Sequence, residues 1–68
     1  AAAQGFITFQ GRARHAYERA GVPGTQAAAM ASVAVSAIEG AIIQARALRS
    51  LQPLDDVADH FATAAATR

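Results

Sequence analysis

Apolar positions recur along the chain with helical spacing in three segments, and nowhere with the alternation of a strand. In the first segment, from about Gln4 to Ala20, the residues Phe6, Phe9, Ala13, Ala16, Tyr17 and Ala20 fall on one stripe. Gln10, Arg12, Arg14, His15, Glu18 and Arg19 take the other side. Gly5 and Gly11 lie inside this segment and each weakens a helix by roughly 1 kcal/mol relative to alanine. Gly21 has the position of a C-terminal cap, and Pro23 stops the helix.

The second segment, about Thr25 to Arg49, predicts a helix about 36 Å long. Its polar residues Ser32, Ser36, Glu39, Arg46 and Ser50 form a narrow seam, and the rest of the circumference is apolar. Met30 and Leu48 point one way, and Val35, Ile38 and Ile42 occupy a second flank. Between them runs a ridge of Ala27, Ala34, Ala37, Ala41 and Ala45. A helix that is apolar over more than half its girth is expected to be buried and covered from more than one side. Its alanine ridge would let another helix approach closely. Residues 50–53 form a second break, and Pro53 suits the first turn of a new helix. Asp55 and Asp56 then complement the positive end of that helix. Leu54, Val57, Ala58, Phe61 and Ala65 make its apolar stripe, with Asp56, Asp59, His60 and Thr63 off it. Fraying is expected over 64–68.

Composition narrows what these helices can do. Among 68 residues 20 are alanine, cysteine is absent, and six arginines face five acids for a net charge of +1. So small a charge gives no electrostatic footprint for nucleic acid or an anionic membrane. Without cysteine there is no disulfide framework, thiol nucleophile or common zinc motif. Alanine supplies only a methyl group to a core, and small chains without disulfides or metals usually rely on association. A tight oligomer, or a part of a larger protein, is the expectation.

The candidate chemistry is sparse. Asp55, Asp56 and Asp59 match the spacing of the aspartate-rich magnesium-diphosphate motif of isoprenoid synthases. That chemistry needs a second acidic cluster and a deep apolar cavity, so a solvated helix start is the plainer reading. Asp56 and His60 are spaced to meet on one turn, as an exposed pair or half a metal site. No nucleophile stands beside a base, and no glycine-rich phosphate loop or ligand cluster is present. The sequence points to no enzyme, cofactor or metal. Glu39 is an ordinary helix acid if its seam faces solvent. If the seam is buried, Glu39 needs a partner, for which Arg46, Arg12 or an arginine of another chain is a candidate.

The stretch from Ala27 to Ala45 is also near the minimum length for a membrane span. Glu39 and Gln44 within it, and the lack of flanking aromatic residues, weigh against that use.

In chain order stand Phe6-x-x-Phe9, Ala20-Gly21-Val22-Pro23, residues 37–46 (AIEGAIIQAR) and residues 52–58 (QPLDDVA). This series resembles the C-terminal end of TetR-type transcriptional repressors, most closely the LmrA/YxaF-like subgroup, over nearly the whole chain. The resemblance implies an all-α fold in which residues 1–68 form the C-terminal part of an effector-binding and dimerisation domain. The last two helices would pair with their copies in a homodimeric four-helix bundle. A helix-turn-helix DNA-binding domain would lie N-terminal to these residues, so DNA would be a partner of the parent protein only. It further implies a cytoplasmic protein, and a small apolar or aromatic effector that releases DNA by shifting the DNA-binding heads. By position, Phe6, Phe9, Met30, Val33 and Ala37 are the candidates for the pocket, with core packing as the plainer alternative. Ala34, Ile38, Ala41, Ile42 and Ala45, with Leu54, Val57 and Phe61, are those for the dimer contact, and Glu39 with Arg46 form the candidate structural polar pair. A stand-alone helical interaction module, adaptor or antitoxin-like, is the rival reading, and a small oligomeric membrane-helix protein a further one.

Overall fold

The computed structural model describes residues 2–66, with side chains over 3–63. Three helices follow in order: α1 (Ala2–Arg19), α2 (Gly24–Leu48) and α3 (Gln52–Ala66). The fold is all-α, as the spacing predicts. Thr67 and Arg68, and with them part of the tail expected to fray, lie outside the described residues. The chain forms two compact units, Ala1–Ser36 and Ala37–Arg68, and the continuous helix α2 runs through both.

Both connections are set by backbone hydrogen bonds at helix ends. After α1, Gly21 has φ 97°. The Val22 N–H donates to the Tyr17 carbonyl at 3.0 Å and the Gly21 N–H to the Glu18 carbonyl at 3.0 Å. This pair of bonds satisfies carbonyls that the helix itself leaves open. Val22, the residue just beyond, is buried. Pro23 does more than stop α1: its carbonyl accepts from the Ala27 N–H at 2.8 Å and so begins α2. Helix α2 ends in the same way, with Ser50 N–H donating to the Ala45 carbonyl at 3.1 Å. Here the left-handed position, φ 51°, is held by Arg49 and not by glycine. Helix α3 starts at the Leu51 carbonyl, which accepts from Asp55 at 3.1 Å. The Ser50 hydroxyl accepts from the Gln52 N–H at 3.1 Å, and Pro53 takes a first-turn position where no donor is needed.

In the first unit Ala27, Ala31 and Val35 of α2 are buried together with Val22. They succeed one another at four-residue steps, so they make one stripe along the helix. The residues of α1 that are half-buried are Gln10, Ala13 and Tyr17. The predicted α1 stripe is therefore displaced: Phe6 and Phe9 are exposed, and so are Ala16 and Ala20. Periodicity identifies the apolar side of a helix but not which part of that side has a neighbour.

In the second unit Ala41 is buried, and Leu54, Val57 and Phe61 of α3 are half-buried at i, i+3 and i+7. The predicted α3 stripe holds at these three positions, Ala58 is exposed, and the Ala65 side chain lies outside the described residues. The expectation that α2 carries more apolar surface than one chain covers agrees with its exposed residues. Val33, Ile43 and Leu48 are exposed, because each unit supplies α2 with one neighbouring helix and covers one side of it.

The two helix ends predict a contrast in stability. Arg49→Gly is expected to raise the unfolding free energy by about 0.5 kcal/mol, since a left-handed residue with a Cβ is strained. Gly21→Ala is expected to lower it by about 1 kcal/mol for the same reason. Urea unfolding followed by circular dichroism measures both.

Candidate functional site

The apolar residues left uncovered define the surfaces available for function. In the first unit these are Phe6, Ile7 and Phe9 on α1 and Val33 on α2, all exposed. Met30 is half-buried in the same unit. Four of the five sequence-derived pocket residues thus belong to the first unit, while Ala37 belongs to the second. There Ala37 lines a groove with Gly40, Ala41 and Gln44 of α2 and Pro53, Asp56 and Val57 of α3. The groove has a volume of about 370 Å³ and is walled mainly by apolar atoms. Ile7, Ile43 and Leu51 are exposed apolar residues that the sequence reading did not single out. Ile7 breaks the helical stripe and Ile43 falls around α2 on the seam of Ser32 and Ser36, so neither carried a periodic signal.

The dimer candidates fall into two groups. Ala41 is buried within its own chain. Ala34, Ile38, Ile42, Ala45, Leu54, Val57 and Phe61 are half-buried in a single chain.

Polar residues are engaged locally. Glu39 is half-buried and Arg46 exposed. They stand seven positions apart, about 10.5 Å along the helix, and no ion pair joins them. The ion pair among the described residues links Arg14 Nε to Glu18 Oε2 at 3.6 Å, on the exposed side of α1. The serine seam faces solvent, with the Ser36 hydroxyl donating to the Ser32 carbonyl at 2.8 Å. Asp56 does not meet His60. Its Oδ1 accepts from the Gln52 amide at 2.8 Å, while His60 stands edge-on to Phe61 with ring centroids 5.3 Å apart. Among the described residues no three acidic or histidine side chains gather as a metal site would require.

What this arrangement offers is apolar surface on paired helices, with charged groups kept to the outside. That is the build of a helical regulatory or association domain. The family model of the transcriptional regulator LmrA/YxaF-like C-terminal domain matches residues 1–60. The chain belongs to this family, and it is the regulatory segment of a TetR-like transcriptional regulator. Such C-terminal domains generally mediate dimerisation and effector binding, and they are not typical enzymes. No curated protein and no solved structure matches the chain.

Two valines of α2 separate surface from core. Val33 is 62% exposed and Val35 is 4% exposed. Val35→Ala is expected to cost about 2 kcal/mol of stability, the transfer of two methyl groups plus a residual cavity. Val33→Ala is expected to change it by less than about 0.5 kcal/mol. Equal losses in chemical denaturation would show that the two sides of α2 had been assigned wrongly.

Proposed function

We propose that this chain is the effector-binding and dimerisation segment of a repressor that releases DNA when a small apolar or aromatic ligand binds. The family match over residues 1–60 carries this reading. The exposed Phe6 and Phe9 on the apolar stripe of α1, and Val33 on α2, support it, because large apolar side chains left in water mark surface that binds something. Residues 1–68 then form the C-terminal part of the regulatory domain, and DNA contact belongs to an N-terminal helix-turn-helix domain of the parent protein. Phe6, Phe9, Met30 and Val33 contribute one wall of the effector pocket. Ala37, in the second unit, stands at the margin of that assignment.

The homodimer is made by the second half of α2 together with α3. Ile38, Ile42, Ala45, Leu54, Val57 and Phe61, half-buried in one chain, belong to the helical hairpin that makes it, and Ala34 extends it along α2. Ala41, covered within its own chain, sets how closely α2 and α3 approach. Glu39 and Arg46 remain available to a partner chain.

By length and composition α2 would reach across a bilayer. A core helix of a water-soluble regulator has the same character, and family membership favours that account and a cytoplasmic setting.

Binding must favour one conformation over another to act at a distance, since equal affinity for both shifts nothing. The test uses the full-length protein and the uncharged aromatic probe N-phenyl-1-naphthylamine. Saturable fluorescence enhancement is expected, with Phe9→Gln weakening binding about tenfold, the loss of one aromatic contact. The dimer mass in sedimentation equilibrium should not change in that variant. Probe binding that is indifferent to Phe6 and Phe9 would remove them from the pocket.

A further inference from the structure

Three observations in the second unit converge on one place. Ile43 is a large aliphatic side chain that is 67% exposed on a helix otherwise rich in alanine. It lies three residues from Gly40, on the same side of α2. Gly40 borders the groove between α2 and α3, whose apolar wall includes Ala41 and Val57. Glycine within a helix costs roughly 1 kcal/mol relative to alanine. Apart from its own helix, no atom lies within 4 Å of where a Cβ on Gly40 would stand. Nothing inside the chain therefore requires glycine there. A second backbone approaching from outside would require it.

We infer that the groove receives Ile43 of a second copy, and that the two copies exchange this contact about a two-fold axis. The inference rests on the dimer reading above and narrows it to one side of α2, turned away from Ile38 and Ile42. A two-fold contact must be self-complementary, with the same surface supplying both protrusion and recess. Unit two has both: Ile43 as the protrusion and the groove of about 370 Å³ as the recess. Charge supports the same occupant. Asp56 stands at the groove as its acidic member, and Arg46, one turn beyond Ile43, is exposed. When Ile43 enters the partner's groove, Arg46 approaches the partner's Asp56. The bond from Gln52 uses one acceptor site on Asp56, and a carboxylate has several.

The test is sedimentation equilibrium of the full-length protein and its variants, with circular dichroism as the check on folding. Ile43→Asp should weaken dimerisation by roughly thirtyfold or more, the loss of an interface anchor. Gly40→Leu should weaken it comparably while leaving the helices intact or firmer, since helix propensity rises and a Cβ there meets no neighbouring atom within 4 Å. Arg46→Asp and Asp56→Arg should each weaken the dimer, and the two together should restore it. A wild-type dimer unaffected by Ile43→Asp and Gly40→Leu would overturn this contact, leave the dimer reading standing and move the interface to the Ile38 side. A wild-type protein that is monomeric at every concentration would overturn both.

Discussion

The structure depends on helix contacts made by methyl groups. Ala27, Ala31 and Ala41 are buried, and among the described residues no large side chain is fully enclosed. Alanine allows helices to approach closely, but each contact removes little apolar area from water. Valine contributes the remaining burial, through Val22 and Val35. Such packing fixes where helices lie without supplying much stability. The larger aliphatic and aromatic side chains, which would supply more, are left at the surface or half-covered.

This division of labour leaves large apolar side chains on the outside of both units. Each unit of the chain is a pair of helices, so α2 has an uncovered side at every level. Three of the charged residues have local partners, Arg14 with Glu18 and Asp56 with Gln52, and the Ser36 hydroxyl bonds to the preceding turn. Arg12, His15 and Arg19 of α1 border one open depression, but among the described residues no acids and histidines gather as a metal site would require. The large apolar side chains left at the surface favour binding and association. Family membership gives that preference its context, since C-terminal domains of such regulators generally mediate dimerisation and effector binding.

Most of the architecture could be read from residue order. Pro23 and Pro53, Gly21, and the spacing of Ala27, Ala41, Leu54, Val57 and Phe61 locate three helices to within two residues at every end but the last, where α3 runs to Ala66 into the tail expected to fray. What periodicity could not reveal was which neighbour each stripe would meet. Phe6 and Phe9 lie on the apolar side of α1, yet Gln10, Ala13 and Tyr17 are the residues half-covered there. The cap of α2 was hidden for a different reason. Arginine gives no sign of a left-handed backbone, and only the bond from Ser50 to the Ala45 carbonyl discloses it. Ile43 was illegible because it sits just before Gln44, outside the apolar stripe, where pattern alone ranks it as incidental.

That last case has a wider meaning for alanine-rich helices. When nearly every position is apolar, hydrophobicity stops discriminating between inside and outside, and size takes over. A methyl group is tolerated in a close contact and equally at the surface, so alanine reports little about its surroundings. Isoleucine in water exposes far more apolar area, and glycine in a helix weakens it, so both carry a cost that their surroundings must offset. On α2 these two residue types stand three positions apart, Gly40 at the groove and Ile43 exposed one turn on. Their costs are offset together if one outside helix covers Ile43 and draws close at Gly40. Among the described residues no helix does so, and a second copy would provide one at no expense in new sequence.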